Sequence, residues 1–305
     1  MLESIAAAND ELGAGIGATV LSRNPERFLA RMPHLAARRE FDWLPGHPTS
    51  FSFPVTRHDY LLHLATATSA CPDRTNPTEM LQTKFSGILR VLDYARQAGI
   101  RRMLVTSSGA VYGPQPAELS HIPETYPGAP DPLDPASAYG NGKRLVEQVC
   151  ALAQDIDTVI ARCFSFIGPH LPLDARFAAG NFIRDALAGG PIVVKGDGRA
   201  LRSYLHAADL TIWLLTLLVR GRPRCAYNVG SDTAISTAQL AIRIGAAFAA
   251  DMRVEVKGVP GTGPAVRYVP DISRARNELG LGPLYDLDRS IAATCRAAAT
   301  ILQRA

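Results

Sequence analysis

Cysteine is scarce and scattered in this chain. The five thiols, Cys71, Cys150, Cys163, Cys225 and Cys295, are odd in number, widely spaced and without a Cys-x-x-Cys pair, which argues against a disulfide framework and a zinc module. The seven histidines form no metal-binding helix pattern, so no metal is expected. Lysine is rarer still, at 4 of the 32 basic residues, and the arginines form no dense run. With a net charge of +4, nothing makes a case for nucleic acid or a membrane surface as partner. Long apolar runs are missing: the longest, Leu210 to Val219, has ten residues, about half of what crosses a bilayer. Met1-Leu2-Glu3-Ser4 lacks the basic start of a secretory signal, so the cytoplasm is the expected compartment. Repeats, low-complexity tracts and flexible linkers are absent from the sequence as well.

What remains is a globular composition, 47% hydrophobic and 20% charged over 305 residues, enough for one large α/β domain and a smaller lobe. Residues 1–13 read as a helix with Leu2, Ile5, Ala6, Ala8 and Leu12 on its apolar positions, and Ala18 to Ser22 as a strand. A second helix spans Pro77 to Gly99, burying Leu81, Ile88, Leu89, Val91, Leu92 and Ala95. Further strands are read at Thr158 to Phe164, Ala226 to Gly230 and Val254 to Val256, with helices at Leu210 to Val219 and from Ser236, the former capped by Asp209.

Around the stretch from Met103 to Lys143 the rest is organised. Met103-Leu104-Val105-Thr106-Ser107-Ser108-Gly109-Ala110-Val111-Tyr112-Gly113 is a short apolar run ending in small hydroxyl residues, as suits a buried parallel strand whose C-terminal end opens into a site. After a Pro-rich loop, Tyr139-Gly140-Asn141-Gly142-Lys143 opens a helix. Tyr139 and Lys143 share one face of it. An ammonium beside a phenol favours the phenolate, although Tyr-x-x-x-Lys on its own is equally an ordinary surface pair worth a few tenths (~0.3) of a kcal/mol.

Together, Ser-Ser-Gly-Ala-Val-Tyr-Gly at a strand end and Tyr-x-x-x-Lys on the next helix resemble the extended short-chain dehydrogenase/reductases that act on nucleotide sugars. The likeness continues through His63-Leu64-Ala65-Thr66, Gly180-Asn181-Phe182, Gly196-Asp197-Gly198 with Arg202-Ser203-Tyr204, and Arg267-Tyr268. It implies a doubly wound, Rossmann-like parallel sheet. Residues 1–165, joined by the strand near 226–230, would bind dinucleotide, and 166–305 would form the substrate lobe. By the same resemblance Tyr139 is the acid/base, Ser108 rather than Ser107 holds the reacting oxygen, and Lys143 holds the nicotinamide ribose and lowers the Tyr pKa. Leu64, Ala65 and Thr66 line the cofactor. Ser165, Asn181, Arg202 and Arg267 contact substrate, the last three as phosphate clamps, with a structural ion pair the competing reading of Arg202. A homodimer through the helices near Leu81–Gln97 and Tyr139–Ala153 is implied too.

The departures from the family pattern are informative. No Gly-x-x-Gly-x-x-Gly turn precedes a helix, and Gly13-x-Gly15-x-Gly17 follows one instead. The simplest account is a chain that begins inside the family's first helix, through a misassigned start or truncation. The alternative is a protein that has lost cofactor binding. Ser22-Arg23 stands where NAD-specific members carry a carboxylate, which favours NADP over NAD; a solvated turn is the plainer reading. Pro45-Gly46-His47 replaces the usual Gly-Asp beside adenine, Lys84 replaces a supporting Asn, and Ser165 a frequent Asn. Gly109-Ala110 occupies the place of the Asp-Glu pair of 4,6-dehydratases, so dehydration is disfavoured. The expected activity is NAD(P)-dependent nucleotide-sugar epimerisation. A 4-ketoreductase or a non-catalytic nucleotide-sugar or dinucleotide-binding protein are the alternatives.

Overall fold

The computed structural model describes residues 1–64, 76–173 and 177–303. α1 (Leu2–Leu12) ends on Gly13, whose left-handed backbone (φ 61°) closes the last turn. β1 (Ala18–Ser22), α2 (Pro25–Arg31), α3 (Pro33–Ala36) and β2 (Phe41–Pro45) follow, then β3 (Leu61–His63) and the long α4 (Pro77–Gln97). α4 starts where the sequence puts Asn76-Pro77, the Asn76 side chain accepting from the Thr78 N–H. β4 (Arg102–Ser108) runs into a short 3₁₀ turn over Gly109–Tyr112, and α5 (Ala138–Leu152) and β5 (Asp157–Cys163) follow.

β4 shows why these residues form a central strand. Its side chains alternate, with Met103 and Val105 facing the core made by α4 and α5. Leu104 faces the opposite core, against α7. A strand buried on both faces reads as a continuous apolar run, and each large aliphatic side chain buried here contributes about 1.5–3 kcal/mol.

The remainder comprises β6 (Phe166–Ile167), α6 (Ala178–Leu187), β7 (Ile192–Val194), β8 (Leu201–Arg202), β9 (Leu205–His206), α7 (Ala207–Arg220), β10 (Cys225–Val229), β11 (Ile235–Ser236), α8 (Thr237–Ala246), β12 (Val254–Val256), β13 (Arg267–Tyr268), α9 (Ser273–Leu279) and α10 (Leu287–Gln303). The main sheet has the order β10-β5-β4-β3, all parallel. Helices α4 and α5 cover one face and α7 the other, the Rossmann-like arrangement expected. β10 returns to this sheet from far along the chain, as the sequence predicts. A separate core joins α6, α8, α10 and β7, and small ladders β11-β8-β13, β12-β7 and β6-β9 frame it.

β1 and β2 pair only with each other. Among the described residues no strand lies on the free edge of β3 or of β1, and His58 Nε2 with Thr19 Oγ1 (2.9 Å) is a polar link between the two parts. One expectation is corrected. Asp209 does not cap α7; the helix begins two residues earlier, with the His206 side chain as its cap. Asp209 is fully buried, its Oδ2 accepting from the Leu284 and Tyr285 N–H groups, both at 3.1 Å.

Candidate active site

The alternation of β4 sends its two terminal serines to opposite sides. Ser107 Oγ donates to Glu147 Oε1 at 2.5 Å. Ser108 Oγ accepts from the Ala110 N–H at 3.2 Å and lies 3.4 Å from the Tyr268 hydroxyl. It is also a hydrogen-bond partner of the Tyr139 phenol. Three hydroxyls therefore meet at the C-terminal end of β4, where parallel sheets place their sites. Gly109 makes this possible. A Cβ there would stand 2.7 Å from both the Tyr268 hydroxyl and the Phe164 ring, so any side chain would push Tyr268 away.

Burial pushes the Tyr139 phenol above its ordinary value, against the Ser108 hydrogen bond, which lowers it. Lys143, one turn along α5, is 3% exposed, and its Nζ donates to the Thr106 carbonyl at 2.6 Å. Burial pulls it down to about 8, with Cys163 and Glu147 opposing. The lowering of the Tyr139 pKa expected from Lys143 is not the outcome in this geometry, because desolvation dominates. His63, on β3, is pulled down to about 4 by burial first and then by Lys143 and Lys84, so its imidazole is neutral at neutral pH.

Behind the hydroxyls lies a buried ion pair. Arg162 binds Glu147 through two contacts, Nε to Oε1 at 3.0 Å and Nη2 to Oε2 at 2.7 Å. It also donates to the Tyr112 hydroxyl at 2.9 Å, which in turn donates to Asn228 at 2.8 Å. This network fixes the Val-Tyr-Gly turn that follows the site.

The sequence model of the NAD dependent epimerase/dehydratase family matches residues 11–230. The chain belongs to that family. Among curated relatives, UDP-glucuronic acid decarboxylase 2 of Arabidopsis thaliana is 29% identical over 258 residues, covering 80% of this chain and 57% of the relative. UDP-glucuronic acid decarboxylase 3 of the same plant is 31% identical over 256 residues, covering 79% and 72%. This epimerase/dehydratase chain thus spans little more than half the length of the first of these. A solved UDP-glucose 4-epimerase from Thermotoga maritima superposes with a TM-score of 0.80 at 20% identity, covering 99% of this chain and 96% of that one. A dTDP-glucose 4,6-dehydratase from Bacillus anthracis gives 0.78 at 15%, covering 98% and 94%. At those identities the likeness shows the shared fold.

The family's dinucleotide fits the donor set of this member at one end. Tyr139 and Lys143 offer a phenol and an ammonium from one helix face, as a nicotinamide ribose requires. The phosphate end does not fit. Gly13, Gly15 and Gly17 follow the C-terminal end of α1, where the helix dipole is negative and disfavours an anion. Ser22 closes β1, its Oγ accepting from the Asn24 N–H at 3.4 Å, and Arg23 is exposed. Leu64 is exposed just after β3, while Ala65 and Thr66 lie outside the described residues.

Of the proposed substrate contacts, Arg202 is connected to the hydroxyl cluster, its guanidinium 5.5 Å from the Tyr268 ring. Asn181 is elsewhere, accepting from Arg184 at 3.1 Å on the wall of a cleft of about 620 Å³ between α6 and β7, with Asp185, Lys195 and Thr237. Ser165 is half-buried after β5, and its carbonyl accepts from Leu205 at 3.1 Å. Arg267 is not brought to the hydroxyls. It precedes Tyr268 on β13, and strand alternation turns it to the other face. Sequence reasoning missed Tyr268 as a site residue; the signal was its place beside Arg267 in a two-residue strand paired to Arg202.

Proposed function

We propose that this protein is an NAD(P)-dependent nucleotide-sugar epimerase that works through a 4-keto intermediate, with NADPH-dependent 4-ketoreduction as the alternative chemistry on the same site. The observation that carries the reading is the convergence of Ser108, Tyr139 and Tyr268 hydroxyls beside the buried Lys143. When bound, the nicotinamide supplies a hydride acceptor or donor. Tyr139 takes the proton from the sugar hydroxyl as that carbon is oxidised, and returns it on reduction. Ser108 holds the reacting oxygen, Tyr268 closes the pocket above Gly109, and Lys143 secures the ribose. Gly109 and Ala110 carry no group able to move a second proton, which disfavours dehydration. The nucleotide is assigned to Arg202 and to the cleft bearing Asn181, whose size suits a nucleotide-scale ligand. Residues up to about 165, with β10, form the cofactor-binding part, and 166–305 the substrate lobe.

Incubation with UDP-hexoses tests this, with NAD and NADP in separate arms and NADPH plus a 4-keto nucleotide sugar in a third. Epimer formation supports the first reading, and stoichiometric NADPH consumption the second. No turnover, with retained binding of nucleotide sugar, supports a non-catalytic binding protein, which the unbuilt phosphate end favours.

We also infer a homodimer. Phe85 and Leu89 on α4, four residues apart, and Leu145 and Leu152 on α5, seven apart, are exposed on two helices that pack side by side. Light scattering at micromolar concentration is expected to give twice the chain mass, and the Leu89→Glu/Leu145→Glu variant a single chain. A monomeric parent protein contradicts the assignment. Among the described residues, no helix is long and apolar enough to cross a membrane, and no cluster of three or more His, Cys, Asp or Glu could hold a metal.

A further inference from the structure

Lys84 is one of four lysines in the chain, with Lys143, Lys195 and Lys257, and like Lys143 it is buried, at 6% exposed. It leaves α4 toward α5, and Gly142 makes room for it. A Cβ at position 142 would stand 2.9 Å from Lys84 Cδ and 3.4 Å from its Cε. Through this gap the ammonium reaches the ring of Tyr139, with Nζ 4.7 Å from the ring centroid. An ammonium at that distance over a phenol face is attracted by the ring's negative face, more strongly as water is excluded.

We propose that Lys84 is a positioning residue of this site: its ammonium, threaded past Gly142 onto the ring face of Tyr139, holds the phenol in place and sets a positive charge against it. The inference rests on the reading of Tyr139 as the acid/base. An amide at this position could offer hydrogen bonds only. A lysine adds a charge that the phenolate feels and that pH can remove.

The groups around Lys84 define what its charge responds to. His63 faces it from β3, and Tyr139 and Lys143 face it from α5. Behind Lys143 stand Cys163 on β5 and Glu147, the latter already bound by Arg162 and Ser107. Ser108 and Tyr268 lie on the hydroxyl side of Tyr139. Burial first, and then Lys143, pull Lys84 down to about 7, so its charge is present below neutrality and lost above it.

With four lysines, NMR of protein carrying ¹³C-labelled lysine side chains resolves the titration directly, and Lys84→Met assigns the signal. Lys84 is expected to titrate near neutrality in the ligand-free chain. The attraction to the ring favours the charged form, so Tyr139→Leu, which removes the ring, should shift that titration downward by about 0.5–1 pH unit, a threefold to tenfold loss of proton affinity. Tyr139→Phe, which keeps the ring, should leave it nearly in place. A Lys84 signal titrating at the ordinary lysine value, or one indifferent to Tyr139→Leu, overturns the proposal.

The kinetic arm needs no Tyr139 variant. The wild-type kcat–pH profile should contain an ionisation near neutrality that Lys84→Met lacks. That variant should lose about threefold to tenfold in kcat on the acid side with little change in KM, and Lys84→Arg should keep the acid-side rate. An even loss at all pH values with the ionisation still present overturns it. Failure of the acid/base reading would show separately, as an active Tyr139→Phe enzyme whose Lys84 titration still follows the ring.

Discussion

Tyr139→Phe lowers kcat on a nucleotide sugar by about 10²–10⁴-fold, the range a positioned general acid/base supplies. The substitution removes one oxygen from a ring that α5 and Lys84 hold in place, so the fold, the unfolding midpoint and nucleotide binding stay close to those of the parent chain. The loss appears in kcat rather than KM, because the phenol acts on the proton in flight and contributes little to ground-state binding. Burial raises the Tyr139 pKa, so the phenol is protonated at neutral pH. Reduction of a ketone, which needs the acid form, is then ready at pH 7. Oxidation of a hydroxyl, which needs the phenolate, speeds up as pH rises. Steady-state kinetics in both directions check the magnitude and the sign, and near-parental turnover by the Phe variant removes Tyr139 from its role.

Glu147→Ala destabilises the protein by about 3–5 kcal/mol, the cost of stripping one partner from a buried ion pair. Both side chains are well shielded, at 14% and 16% exposed. Alanine leaves the Arg162 guanidinium with only the Tyr112 hydroxyl and the Glu124 carbonyl, and takes away the acceptor of Ser107. Replacing both partners with apolar residues, Glu147→Leu with Arg162→Met, recovers most of the loss, since no charge is then stranded. Equilibrium denaturation of the two single variants and the double variant gives the coupling. A Glu147→Ala cost below about 1 kcal/mol, the size of an exposed pair, contradicts the buried assignment.

The main sheet and its flanking helices were legible because their signals are local. The run from Met103 to Ser108 and the spacing of Ile88, Val91, Leu92 and Ala95 on α4 state their burial in the sequence, and both lie in the core. The choice of Ser108 over Ser107 followed from strand alternation, which the opposite partners of the two hydroxyls display. Contacts made across long sequence distances were not legible. Tyr268 reaches Ser108 from 160 residues away through a two-residue strand too short to show a period. Asp209 stands beside a helix start and reads as a cap, but its partners are backbone groups 75 and 76 residues further on. The Tyr139 pKa was misjudged for a related reason: proximity of Lys143 is written in the spacing, whereas burial depends on the whole fold.

The central claim is that hydride leaves and re-enters a sugar carbon at the Ser108–Tyr139 site, and isotope tracing tests it most directly. UDP-hexose deuterated at C4 is incubated with the protein and saturating oxidised cofactor, and the product is read by NMR. The account predicts a C4 epimer that keeps its deuterium, because the hydride is held by the cofactor within one site and does not exchange with water. If reduction is the activity, deuteride from labelled NADPH appears at the same carbon of a 4-keto nucleotide sugar. Product bearing solvent hydrogen at C4, or no product from either substrate with cofactor and nucleotide sugar both bound, contradicts it.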